Sequence, residues 1–195
     1  MVKLSVTYWG DIMKLSFKNE LYSWGKSIVF AIIVVMVCRY FIFTPIAVDG
    51  KSMLPTFEHN DRVIVSKIGS IDRFDIVIFE DQDSNEQYIK RVIGVQGDSI
   101  QIKDDVLYIN GKTYEEFYVN KDINDVLYNN LTGDFTLQEL TGEETVPEGY
   151  YFVLGDNRWK SRDSRSREFG FISADAIIGE AKFRYYPFQN IGMPK

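Results

Sequence analysis

Between Ser27 and Val48 the chain reads SIVFAIIVVMVCRYFIFTPIAV, 22 residues in which Arg39 is the sole charge and Ile28 to Cys38 is unbroken apolar sequence. A membrane-crossing helix needs about 20 mostly apolar residues, so the run is long enough. Its 11-residue apolar stretch would also suit a buried helix of a soluble domain. Phe41-Ile42-Phe43 prolongs it, however, and Arg39 can snorkel to an interface. A cleavable secretory leader is the other rival. The run is long for one, and no small-x-small site follows it before Asp49. The reading is therefore a retained anchor over residues 27–47, behind a leader of residues 1–26 and ahead of a body spanning 48–195. Met13 opens a second basic leader, MKLSFKNELYSWGKS, and marks an alternative start.

Charge divides along the same line. The 195 residues carry a net charge of -6, yet residues 1–48 hold five basic side chains against two acidic ones, a net +3 that leaves -9 for the rest. The positive-inside rule then puts the N-terminus in the cytoplasm and the body outside. An acidic body excludes nucleic-acid binding through a broad basic face. One cysteine excludes an intramolecular disulfide, and one histidine excludes a His-rich metal site. With no Gly-rich phosphate loop either, neither metal nor cofactor is expected.

The body reads as mostly antiparallel β-structure. Short β-branched and aromatic runs recur: Arg62 to Val65, Asp75 to Phe79, Tyr88 to Val95, Ser99 to Ile102, and Val106 to Ile109. Asn110-Gly111 then predicts a tight hairpin into Lys112-Thr113-Tyr114. Tyr150 to Leu154, Ile177 to Gly179 and Lys182 to Tyr186 complete the set. Residues 115–148 are polar and are expected to form a looser excursion.

Few residues here can do covalent chemistry. A Ser-His-Asp triad must use His59, which sits in the turn-like Glu58-His59-Asn60-Asp61 and reads as a solvated loop residue. There is no G-x-S-x-G elbow. Ser23-Trp24-Gly25-Lys26 matches S-x-x-K, but at the edge of the anchor. What remains is a serine activated by a lysine. Lysine's ordinary pKa of about 10.4 falls by several units on burial among apolar groups. Lys90 has such neighbours in Tyr88-Ile89 and Val92-Ile93, and strand alternation puts it on the face of Tyr88 and Val92, away from Ile89 and Arg91. Taken alone the signal is weak, because a strand lysine is usually a solvated edge residue.

Gly50-Lys51-Ser52-Met53-Leu54-Pro55-Thr56 resembles the nucleophile motif S-M-x-P-T of bacterial type I signal peptidases. Further blocks follow in that family's order: Arg62-Val63 to Lys67; Arg73-Phe74-Asp75-Ile76-Val77 with Tyr88-Ile89-Lys90-Arg91-Val92-Ile93-Gly94 and Gly97-Asp98; then Leu154-Gly155-Asp156-Asn157-Arg158 with Ser161-Arg162-Asp163-Ser164-Arg165. The likeness spans roughly residues 20–187 without the polar excursion, and the single anchor and compact length resemble Gram-positive forms.

The resemblance implies an antiparallel β catalytic domain of signal-peptidase type behind one N-terminal transmembrane helix. It implies Ser52 as nucleophile and Lys90 as general base, with Ser161 hydrogen-bonded to the lysine ammonium. Asp163 and Arg165 would pair beside it, with Asp156 nearby. The Ser52 N–H would serve the oxyanion hole. Some family members add a serine hydroxyl two residues earlier, where this chain has Gly50. Ile46, Val48, Met53 and Ile89 are candidates by position for shallow pockets that admit small side chains. An extended substrate could add as a strand before Ser52 or around Lys90. The implied partners are secretory preproteins and the lipid bilayer, on which Phe57 or Trp159 could rest unless the fold covers them. Two other readings compete. A catalytically idle relative serving surface-fibre assembly would lack Ser52 or Lys90, and both are present. A self-cleaving repressor would carry a DNA-binding domain in place of the anchor.

Overall fold

The computed structural model describes residues 6–81, 84–119 and 131–194. The chain divides into two units, residues 1–42 and 43–195. The described part of the first is a single helix, α1 (Val6–Phe41). Its segment Glu20–Phe41 is long and apolar enough to cross a membrane. At 1.5 Å per residue those 22 residues measure roughly 33 Å, close to the thickness of a hydrocarbon core. The β-branched residues that fill Ile28 to Val37 are modest helix formers in water. In lipid, a helix satisfies every backbone N–H and C=O within the segment.

The helix stops short of the expected anchor end at residue 47. Phe43–Ala47 is instead strand β1, paired antiparallel with β2 (Arg62–Ser66). Pro45 accounts for the difference, since it cannot continue a helix and biases Thr44 towards extended backbone. Within the expected leader, the helix runs unbroken from Val6 through Lys26.

The second unit is built on antiparallel sheets. One has the strand order β1-β2-β11-β3-β4-β9-β10, where β3 is Ile76–Glu80, β4 Gln87–Gly94, β9 Tyr150–Leu154, β10 Ile172–Ser173 and β11 Ile177–Tyr186. The other has the order β7-β6-β5-β8, from β5 (Ile100–Lys103), β6 (Val106–Ile109), β7 (Lys112–Tyr114) and β8 (Phe135–Thr136). Asn110 and Gly111 turn β6 into β7 with φ of 52° and 73°. Both values lie in the left-handed region that a two-residue hairpin of this type demands. The runs at 177–179 and 182–186 prove to be one strand, β11, interrupted by register shifts.

Parts of the excursion expected at 115–148 pack against the body. Thr136 caps the short helix α2 (Leu137–Thr141) through the Glu139 N–H, and the Glu139 carboxylate caps Thr136 in return. Tyr118, Val119, Phe135, Leu137 and Val146 join Ile93, Ile102, Leu107, Phe152 and Leu154 in one apolar core. Residues 120–130 lie outside the described residues. A second core cluster gathers Val48, Met53, Phe57, Val63, Val65, Ile76, Ile78 and Ile89 beneath the loop from 48 to 61. Phe57 is fully buried there, so it is not a lipid-facing residue; Trp159 is half exposed.

Candidate active site

The loop between β1 and β2 carries Ser52, and it is fixed from two directions. Its ends close on themselves, with the Val48 N–H donating to Asp61 O and the Asn60 N–H to Val48 O. Its centre is held by the segment after β9. The Asn157 N–H donates to Ser52 O at 3.0 Å, Asn157 Nδ2 donates to Lys51 O at 3.0 Å, and Thr56 Oγ1 donates to Asp156 Oδ2 at 2.5 Å. Gly155 permits this approach. A Cβ built there would lie 2.6 Å from Ser52 O and 2.1 Å from Ser161 Oγ, so no side chain fits.

Lys90 reaches the same point from β4. Its Nζ donates to Ser52 Oγ at 2.9 Å and to Ile89 O at 2.8 Å, and the residue is 2% exposed. Burial pushes the ammonium's pKa down from 10.5 to about 8; the charges of Asp163 and Asp156 oppose that fall, and Arg162 adds to it.

The expected supporting residues sort differently. Asp163 and Arg165 do pair, with Arg165 Nε 2.8 Å from Oδ1 and Nη2 2.9 Å from Oδ2, and the Gly155 N–H adds a third bond at 3.0 Å. Burial alone would raise the Asp163 pKa. The hydrogen bonds and charge of Arg165, with the Gly155 N–H, overcome it and hold the carboxyl below the ordinary range. Asp156 belongs to another pair. Arg91 grips it bidentately, Nε to Oδ1 at 2.9 Å and Nη2 to Oδ2 at 2.7 Å, with both side chains buried. Ser161 departs from the expectation. Its Oγ is buried and makes no bond to Lys90; it lies instead towards Asp163, whose carboxyl it helps hold below the ordinary range.

Sequence reasoning missed the residues that connect these pairs. Arg91 also donates to Phe74 O, and its guanidinium lies 3.9 Å from the Tyr118 ring centroid. The Tyr118 hydroxyl donates to Glu116, which pairs with the buried Arg158, and Arg158 Nε donates to Gly155 O at 3.0 Å. Glu116 and Tyr118 fall in the segment expected to be loose. The signal available was the apolar neighbourhood of Tyr118 and Val119, which is poor in loops that stay solvated.

A groove of about 490 Å³ opens beside the pair, lined by Ile46 to Gly50, Ser52, Ile78 and Glu86 to Lys90. Of the four expected pocket residues, Ile46, Val48 and Ile89 line it. Met53 does not; it is 1% exposed and packs in the core under the loop. Two open strand edges meet this groove. β1 is the last strand of its sheet, and β9 pairs with β4 only from Arg91 onward, which among the described residues leaves Gln87 to Lys90 without a paired strand on that side. The histidine is elsewhere in use: His59 is exposed and pairs with Asp49 at 2.9 Å.

The chain matches known proteins over most of its length. The family model described as signal peptidase, peptidase S26, matches residues 21–186. Signal peptidase I of Bacillus caldolyticus is 48% identical over 163 residues, 82% of this chain and 88% of that protein. Signal peptidase I T of Bacillus subtilis is 43% identical over 183 residues, 91% of each chain. Signal peptidase IB of Staphylococcus aureus is 39% identical, over 88% of this chain and 92% of its own length. Among solved structures, a signal peptidase I from Enterococcus faecalis superposes with a TM-score of 0.53 at 44% identity, covering 58% of this chain and 97% of that one.

Proposed function

The chain belongs to the signal peptidase family, peptidase S26, and from that premise we propose that it removes signal peptides from secretory preproteins with Ser52 as nucleophile and Lys90 as general base. One observation carries the reading: Lys90 Nζ, almost without access to water, lies 2.9 Å from Ser52 Oγ. A base must be neutral to work. With a pKa of about 8, about one lysine in ten is neutral at pH 7, against roughly one in three thousand at the ordinary value.

Ser52 Oγ attacks the scissile carbonyl as its proton passes to Nζ, and the ammonium then protonates the departing amine. An ester joins Ser52 to the signal peptide. Lys90, neutral again, takes a proton from water; the oxygen attacks the ester, and Ser52 recovers its proton. The Ser52 N–H stabilises the oxyanion, and it donates to no other group among the described residues. Gly50 has no hydroxyl to add. Asp163–Arg165 and Asp156–Arg91 act as supports, the first beside the lysine and the second under the nucleophile loop.

Substrate lies extended in the groove against the open edges of β1 and β4, the mode in which main-chain bonds bind and pockets select. Ile46, Val48, Ile78 and Ile89 form an apolar lining that favours small residues at alternate positions before the cut. Helix α1 crosses the lipid bilayer once, its basic leader inside and the acidic body outside. Cleavage of a preprotein in detergent tests the mechanism. Wild type should cut after a small-x-small site, as read from the product's new N-terminus. Ser52→Ala and Lys90→Ala should each lose at least about a thousandfold in rate, and a variant keeping most of its activity would overturn the assignment.

A further inference from the structure

Arg162 sits between Ser161 and Asp163, yet the chemistry above leaves it without a task. Its side chain is 54% exposed but well anchored. Nη2 donates to the Tyr88 hydroxyl oxygen at 2.5 Å, and the guanidinium carbon lies 5.5 Å from the Tyr88 ring centroid and 5.2 Å from that of Phe169. The two rings meet edge to face at 4.8 Å, and both contact Phe79. Glu168 lies 3.5 Å from Nε, and the Tyr88 hydroxyl donates to Glu86 at 2.7 Å. The same Tyr88 ring stands 5.7 Å from Lys90 Nζ. One aromatic ring thus neighbours a permanent cation and an amine that must avoid becoming one.

We propose that Arg162 is a positioning residue for the base: a fixed positive charge, pinned on Tyr88 and Phe169, that disfavours a second positive charge on Lys90 and keeps the lysine ready to take the Ser52 proton. The inference rests on the general-base reading of Lys90. Its logic is electrostatic balance. Asp163, from the same segment as Arg162, and Asp156, from the segment after β9, both favour the ammonium, although Arg165 and Arg91 already engage them. Ser52 and Tyr88 bring no charge. Burial and Arg162 are the two influences that act in the opposite sense. An arginine suits the position because its guanidinium keeps its proton throughout the working range and stacks on aromatic faces.

The test is the pH dependence of kcat/KM, which reports the free enzyme, on a peptide spanning a small-x-small site in detergent micelles. Wild type, Arg162→Gln and Arg162→Lys are compared at low and high salt, with thermal unfolding to verify the fold of each. Arg162→Gln should move the acid limb upward by about half a pH unit, roughly threefold in rate below the limb, as expected for a charge of this exposure. Arg162→Lys should keep the wild-type limb, and the gap should narrow in 1 M salt, where charges are screened beyond about 3 Å. A limb unmoved in Arg162→Gln, or moved equally in Arg162→Lys, overturns the proposal while leaving the Lys90 reading intact. A wild-type profile with no acid limb overturns both.

Discussion

Lys90 and Arg91 are neighbours on one strand, both buried, with opposite circumstances. Arg91 cannot shed its proton, and it receives a carboxylate in Asp156 with a bidentate grip. Lys90 can shed its proton and, among the described residues, receives no carboxylate within salt-bridge distance; its hydrogen bonds go to a hydroxyl and a carbonyl. The difference has a thermodynamic signature. The folded lysine titrates near 8, the unfolded one near 10.5. Between those values the unfolded chain binds the extra proton, so stability rises with pH through that window, and the penalty is complete below it. Its size is roughly 3 kcal/mol. Lys90→Met should therefore be inactive yet more stable than wild type at pH 7, by up to that amount, with the advantage fading as pH approaches 10.5. Denaturant titrations of both proteins at pH 7 and pH 10 measure it. A variant less stable at both would contradict the burial argument.

At the scale of elements, the site is a loop set between two strands, and its accuracy comes from the segment after β9. Gly155 is the tightest point, pressed between Ser52 O and Ser161 Oγ. Gly155→Ala should displace the nucleophile loop by a fraction of an ångström or more. It should lower kcat/KM by about a hundredfold, since small misplacements of reacting groups cost that much. The body should remain folded by circular dichroism, and a rate within threefold of wild type would refute this account.

The same segment explains what could and could not be read beforehand. Strands such as Val106–Ile109 were legible from their β-branched composition and the Asn-Gly turn that follows. β1 was not, because its apolar residues continue the helix's own pattern and only Pro45 marks the change. As an edge strand it tolerates that proline. The Ser52 and Lys90 motifs were legible as motifs, but the partners of Asp156 were not. Arg91 lies 65 residues away in sequence and Glu116 lies 42 from Arg158, separations that no local period encodes. Ser161 shows the converse: its motif is present while its hydroxyl makes no bond to the lysine.

For the whole molecule, the division is between a helix apolar along Ile28 to Cys38 and a sheet unit carrying the chain's negative charge. The charge contrast across that boundary orients the protein in the proposed topology. Converting Lys14, Lys18 and Lys26 to glutamate should reduce the fraction of molecules with the body outside. Protease added to intact protoplasts reads that fraction, and an unchanged digestion pattern would show that the leader's charge does not set orientation.

The groove between the open edges of β1 and β4 bears on the timing of secretion. An α-helix with side chains is about 10 Å across, about twice the spacing between paired strands. A slot built to pair with a single strand thus rejects a helix by its bulk, whichever side chains it carries. On the proposed mode of binding, the apolar helix of a signal peptide has to end, and the passenger behind it must not yet have folded up to the cut, for cleavage to begin. Release is then a race between the peptidase and the passenger's own folding. Preproteins whose mature domains collapse close to the junction would be the ones left tethered.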